Sequence, residues 1–203
     1  MLSFREWANI HEDAYGALAS AIHPKTANNF KNQLRQVLPA RKVLHSFKVG
    51  ATTAAAGTSN HAVEAALLHD YVEHGGNLGN LAFKLNLSGR VVQMVQALSN
   101  DEKDVGSNAP LVHLQKILND PQIDNGTRNE IILIKLSDRI DNLRKRIKAG
   151  GVGDRYLLKS KELCKYLFQQ YAGDPKSALI LRQRLKDLGL VIKKRHLWNI
   201  KSY

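Results

Sequence analysis

The stretch Ala65-Ala66-Leu67-Leu68-His69-Asp70-Tyr71-Val72-Glu73-His74 constrains the chain more than any other. Its apolar spacing reads as a helix, and at about 100° per residue Ala62, Ala65, Ala66, His69 and Glu73 fall on one narrow arc. By this reading the arc faces inward, with Leu68 and Val72 on one flank and Asp70 and His74 on the other. Four ionisable groups then border a face of small alanines. Burying such groups is costly unless they are paired or bind a metal, and alanines let neighbouring helices come close enough to supply partners. A fold built on this stretch has to bring further ligands from elsewhere. The alternative is a chance His-Asp pair in a chain of 8 histidines.

Two further stretches favour the first reading. In Glu130 to Leu143 the run from Ile131 to Leu136 is apolar nearly all round, which marks a central helix covered on most sides. Asp138 follows inside it and shares a face with Ile131, Ile134, Lys135 and Asn142 within about 60°. An unpaired carboxylate on that buried side shifts toward neutrality or draws in a cation, and the alternative is a core salt bridge with Arg139 or Lys135. The other stretch is Leu44 to Ala51, a helical segment in which His45 sits among apolar neighbours, where a lone histidine is more often a core residue than a ligand. His45, His69, Asp70 and Asp138 together offer two imidazoles and two carboxylates, a donor set suited to a divalent first-row metal such as Mn, Fe or Zn.

The order His, then His-Asp, then Asp, with AALLHDYVEHGG and IKLSDRIDNLRK around the last two, resembles the HD phosphohydrolase domain of the RelA/SpoT homologues. The likeness is strongest to their stand-alone small alarmone hydrolases. It runs from about Leu38 to about Lys148 and includes Arg90 to Lys103, which is similar to the family's helix ending in a Thr-Asp-Asp-Lys-like turn. The resemblance implies an all-α HD-domain bundle with a metal site between helices. It also implies His45, His69, Asp70 and Asp138 as ligands, usually for Mn, and Glu73 as the first acid of a catalytic Glu-Asp pair. Asn142 and Lys103 would lie at the nucleotide, and Arg41-Lys42 is the nearest match to a guanine-contacting Arg-Lys pair. The sequence departs from the pattern at His74, which stands where the second acid is expected, and at Ser46, which replaces a proline after the first His.

The rest of the chain reads as helices. Ser3 can cap a first one running to about Ile22, with Phe4, Trp7, Ile10, Ala14 and Leu18 on its apolar stripe, ended by His23-Pro24. A second, from about Thr26 to Val37, stops before Pro39, and a third carries His45 and fades toward Gly57. Ser59 opens the His-Asp helix, and Gly75-Gly76 closes it. Helices follow at Leu78 to Leu85, Ser88 to Leu98, Leu111 to Leu118, about Asn125 to Ala149, Arg155 to Tyr171 and Pro175 to Leu188. Asn100 to Pro110 reads as a loop bordering the site. No alternating strand pattern competes. The expectation is one all-α domain over 1–203, with its core at about 38–148 and C-terminal helices plus a basic tail over 150–203.

A content of 43% hydrophobic residues in 203 is ample for a core, and no stretch is apolar for long enough to span a membrane. One cysteine, Cys164, excludes an intramolecular disulfide and fits a reducing cytoplasm. The net charge of +12, from 30 basic and 18 acidic residues, favours polyanions. Nucleic acid and a heavily phosphorylated nucleotide both satisfy it, although no finger, RRM or KH signature is present. Arg144, Lys145, Arg146 and Lys148 crowd the end of a helix, where its dipole favours cations; Lys193-Lys194-Arg195 reads as a solvated tail.

The implied chemistry is hydrolysis at phosphorus, with Glu73 and His74 beside the metal handling water and protons, and Lys135, Asn142, Lys103, Arg41 and Lys42 at the substrate. Removal of the 3′-pyrophosphate of ppGpp or pppGpp is the first expectation. Hydrolysis of another nucleotide, including the 2′-phosphate of NADPH, and a catalytically impaired nucleotide sensor are the alternatives. The sequence leaves the oligomeric state open.

Overall fold

The structure is a computed structural model that describes residues 18, 20–99 and 109–190. Every regular element among them is a helix. The residues expected to build the first helix, Phe4, Trp7, Ile10 and Ala14, lie outside the described residues, as do Lys103, most of the loop around it and the basic tail. The chain divides into two compact units, Met1–Ser99 and Asn100–Tyr203. The stretch of about 38–148 that carries the family resemblance straddles that boundary.

The first unit contains α1 (Pro24–Leu34), α2 (Ala40–Ala55), α3 (Asn60–Leu68), α4 (Leu78–Leu85) and α5 (Gly89–Leu98). Their starts are written in the sequence. Ser59 Oγ accepts from the Ala62 amide, Asn77 Oδ1 from Asn80 and Ser88 Oγ from Val91, each satisfying a donor that the first helical turn leaves over. His23-Pro24, expected to end a helix, follows the last helical residue of that run, Ala21, and also opens the next helix. His23 Nδ1 accepts from the Lys25 amide, and Pro24 sits in the first turn, where its fixed φ is already helical. α1 therefore spans Pro24–Leu34 rather than Thr26 to Val37.

α3 packs against both α2 and α5, and α1 packs against α4. Ala62, Val63, Ala65, Ala66, Leu67 and Leu68 are all buried, so α3 has almost no solvent face over its last two turns. The approach of α2 is close enough that a side chain at Gly50 would force Leu67 to shift, since a Cβ would stand 2.9 Å from Leu67 Cδ2 and 3.2 Å from its Cγ. Glycine in mid-helix costs about 1 kcal/mol relative to alanine; here that cost is offset by the contact it permits between α2 and α3.

α3 is shorter than its apolar pattern suggests. It ends at Leu68, and residues 69–75 form turns closed by bonds from the Tyr71 amide to the Leu68 carbonyl and from the Gly75 amide to Val72, each 2.9 Å. Two features drive this. The Ala66 carbonyl, which the Asp70 amide would take in a continuing helix, accepts from His69 Nδ1 at 2.8 Å. Gly75 then turns the chain at φ +84°, a conformation that side chains disfavour, and the Tyr71 ring fills the space where a Cβ on Gly76 would lie.

The second unit contains α6 (Ala109–Asn119), α7 (Asn125–Lys148), α8 (Asp154–Gln170) and α9 (Pro175–Asp187), with α8 and α9 both packed on α7. Ile131, Ile132, Leu133 and Ile134 are buried in succession, as a helix covered on most sides requires. Asp124 caps α7 through the Thr127 amide at 2.9 Å, and Asn129 Oδ1 accepts from the Ala172 amide at 2.9 Å, tying the α8–α9 connection back to α7. No helix among the described residues is long and apolar enough to cross a membrane.

Two measurements test this packing. Gly50→Val should destabilise the protein by about 2 kcal/mol, because the added methyls meet a buried Leu67, whereas Gly89→Ala, with open space around its Cβ, should be neutral or stabilise by up to about 1 kcal/mol. Urea unfolding of both variants reads the difference.

Burial pushes the pKa of the Cys164 thiol from 9.0 up to about 12. The unfolded chain therefore loses this proton near pH 9 while the folded chain keeps it, so stability should fall as pH rises above 9. Cys164→Ala should flatten that part of the profile, and native Cys164 should resist thiol reagents until the protein unfolds.

Candidate metal centre

His45 comes from the middle of α2, and His69 and Asp70 from the turn that ends α3. They are 2%, 4% and 7% exposed, so all three lose most of their hydration on folding. One ligand atom from each lies within 4.8 Å of the others. The imidazoles meet edge to face with centroids 5.0 Å apart and planes at 74°. Asp70 stands between them, with Oδ1 3.2 Å from His69 Nε2 and Oδ2 3.9 Å from His45 Nε2.

The chemistry of His69 follows from one bond. A carbonyl can only accept, so Nδ1 carries the hydrogen toward Ala66, and a neutral ring presents the Nε2 lone pair to Asp70. A lone pair facing a carboxylate oxygen is repulsive unless a proton or a cation stands between them. A metal-ligating histidine usually donates its other ring N–H to a carboxylate, a backbone carbonyl or water, and the Ala66 carbonyl is such a partner for His69. Two imidazoles and a carboxylate suit zinc, manganese or iron, so the residues present fit a divalent ion, and the group can hold one.

A fourth side chain joins the group. Lys42, one turn before His45 on α2, places Nζ 2.8 Å from Asp70 Oδ2. The sequence suggested Lys42 only as a substrate contact, but an i, i+3 spacing from His45 puts both residues on one helix face. Arg41, its expected partner, is exposed.

Glu73 and His74 are placed differently from expectation. Both lie in the turn after α3 and are exposed. Because the helix ends at Leu68, Glu73 does not continue the inward arc of Ala62, Ala65 and Ala66. Glu64, within α3, is half-buried; burial raises its carboxyl pKa, and nearby His61 works against that shift.

Asp138, Lys135 and Asn142 belong to the second unit. All three are half-buried, and Asn142 Nδ2 donates to Asp138 Oδ1 at 2.7 Å. The deeply buried carboxylate of α7 is Asp141, which is 2% exposed and pairs with Lys145 Nζ at 3.0 Å. Sequence reading passed over Asp141, although an acid four residues before a lysine on a helix was the available signal. Arg139 donates through Nη1 to the Tyr156 hydroxyl at 2.9 Å and so engages α8.

No protein-family model matches this chain, and neither a curated protein nor a solved structure matches it.

Purified protein should bind about one divalent ion per chain by elemental analysis after dialysis. His69→Ala should weaken that binding by more than about 100-fold, beyond the usual cost of removing an outer partner, while far-UV circular dichroism stays helical. Equal metal content in wild type and His69→Ala would count against the site.

Proposed function

We propose that the chain is a metal-dependent phosphohydrolase of phosphorylated nucleotides, and that its preferred reaction removes the 3′-pyrophosphate of ppGpp or pppGpp. The observation that carries the reading is the buried group of His45, His69 and Asp70, with the His69 ring oriented by the Ala66 carbonyl. His45, His69 and Asp70 would hold a divalent cation, Mn²⁺ by the resemblance, which when bound would supply Lewis-acid chemistry for hydrolysis at phosphorus. The protein's own part is to hold the imidazoles and the carboxylate in a dry, fixed arrangement, so that little reorganisation is needed during the reaction. The basic balance of the chain draws a multiply charged anion toward it.

The remaining roles come from the sequence motifs. Asp138 is the fourth ligand of the resemblance, Glu73 orients water or moves a proton, and His74 assists it. Asn142, Lys135, Lys103 and Arg41 contact the nucleotide. A reducing cytoplasm is the compartment that a lone buried thiol fits.

One observation favours a second reading. His74 offers an imidazole where the resemblance expects an acid, as in a nucleotide sensor that has lost turnover. Phosphate and pyrophosphate release from ppGpp, pppGpp, NADPH and common nucleoside triphosphates with Mn²⁺ separates the readings. The expected outcome is turnover of ppGpp, a kcat lowered by about 100-fold or more in Glu73→Gln, and a smaller loss in His74→Ala, with metal retained in both. Wild-type inactivity across the panel, with turnover appearing in His74→Asp, would establish the sensor instead. Loss of metal in Asp138→Asn tests the fourth ligand.

A further inference from the structure

We propose that Lys42 and a bound cation compete for Asp70, so that Lys42 sets the metal affinity of the centre and keeps the fold from depending on the metal. The inference rests on reading His45, His69 and Asp70 as a metal centre. It adds a regulating side chain that the motif does not contain.

The geometry is specific. Asp70 has two oxygens with different surroundings: Oδ1 lies 3.2 Å from His69 Nε2, and Oδ2 lies 3.9 Å from His45 Nε2. The ammonium of Lys42 takes Oδ2 at 2.8 Å, the oxygen on the His45 side. An ion reaching both imidazoles has to share Asp70 with that ammonium. Hydrogen bonding to Lys42 withdraws electron density from the carboxylate, and its positive charge repels the incoming cation. Both effects weaken binding. The Lys42 side chain is 34% exposed, so the charge is screened in part and can move into solvent.

The same contact bears on stability. Asp70 is only 7% exposed, and a buried carboxylate without a counter-charge is strongly destabilising. Lys42 provides that charge from within the chain, at the helical spacing that also fixes His45. A metal provides it from outside. Removing Lys42 should therefore make the fold lean on the metal, which a lysine with a purely structural role would not do.

The test compares wild type with Lys42→Met, which keeps the apolar stem and removes the charge, and with Lys84→Met, which removes an exposed charge from α4 of the same unit. Equilibrium binding of Mn²⁺, repeated with Zn²⁺, should be about tenfold tighter in Lys42→Met, the size expected for one partly screened charge, and unchanged in Lys84→Met. Thermal unfolding should show Lys42→Met less stable than wild type when stripped by chelator, with the gap closing when Mn²⁺ is restored. Unchanged or weaker metal binding in Lys42→Met would overturn the proposal while leaving the metal centre intact, as would an equal loss of Tm with and without metal. Absence of divalent-ion binding in all three proteins would overturn the metal centre and this inference together.

Discussion

The close approach of α2 and α3 is the contact on which the candidate centre depends. Gly50 on α2 leaves room for Leu67, and small side chains at Ala62, Ala65 and Ala66 keep α3 narrow. With those residues in place, His45 from one helix and His69 from the end of the other meet with ring centroids 5.0 Å apart. Interiors are packed at near-crystalline density, so an added methylene at such a contact is felt directly. A bulkier residue at Gly50 would therefore act on the site through Leu67 without touching a ligand.

Three carboxylates among the described residues meet a side-chain partner. Asp70 meets Lys42 across the α2–α3 contact, Asp141 meets Lys145 one turn along α7, and Asp138 accepts from Asn142 at the same spacing. These pairs differ in what they leave available. Asp141 and Lys145 are an i, i+4 pair on one helix. Asp70, held by Lys42, also stands beside two imidazoles, and these three residues form the group that could hold a metal ion among the described residues.

The same economy bears on the net charge of +12. Several basic residues of α7 have partners within the second unit. The Arg146 guanidinium stacks 3.9 Å from the centroid of the Tyr156 ring, Arg139 bonds the hydroxyl of that tyrosine, and Lys145 neutralises Asp141. A guanidinium on an aromatic face is attracted by the ring quadrupole, so these residues help hold α8 against α7. Basic composition alone is thus a weak argument for a nucleic-acid surface on this helix.

The sequence by itself determined the helical class, most helix starts and the residue types of His45, His69 and Asp70, which the fold brings together. Each of these depends on local signals: apolar period, capping side chains such as Ser59, Ser88 and Asp124, and a His-Asp pair on an alanine-lined stretch. It placed α4 at Leu78–Leu85 and the start of α7 at Asn125 for that reason. Tertiary structure decided what periodicity cannot carry. The bond from His69 to Ala66 and the Tyr71 ring over Gly76 end α3 at Leu68, so Glu73 and His74 lie on an exposed turn although the helical apolar pattern runs on to Val72. The partner of Asp70 was likewise out of reach of the sequence. A lysine 28 residues upstream becomes its neighbour only when α2 and α3 pack, and no local rule couples residues so far apart in the chain.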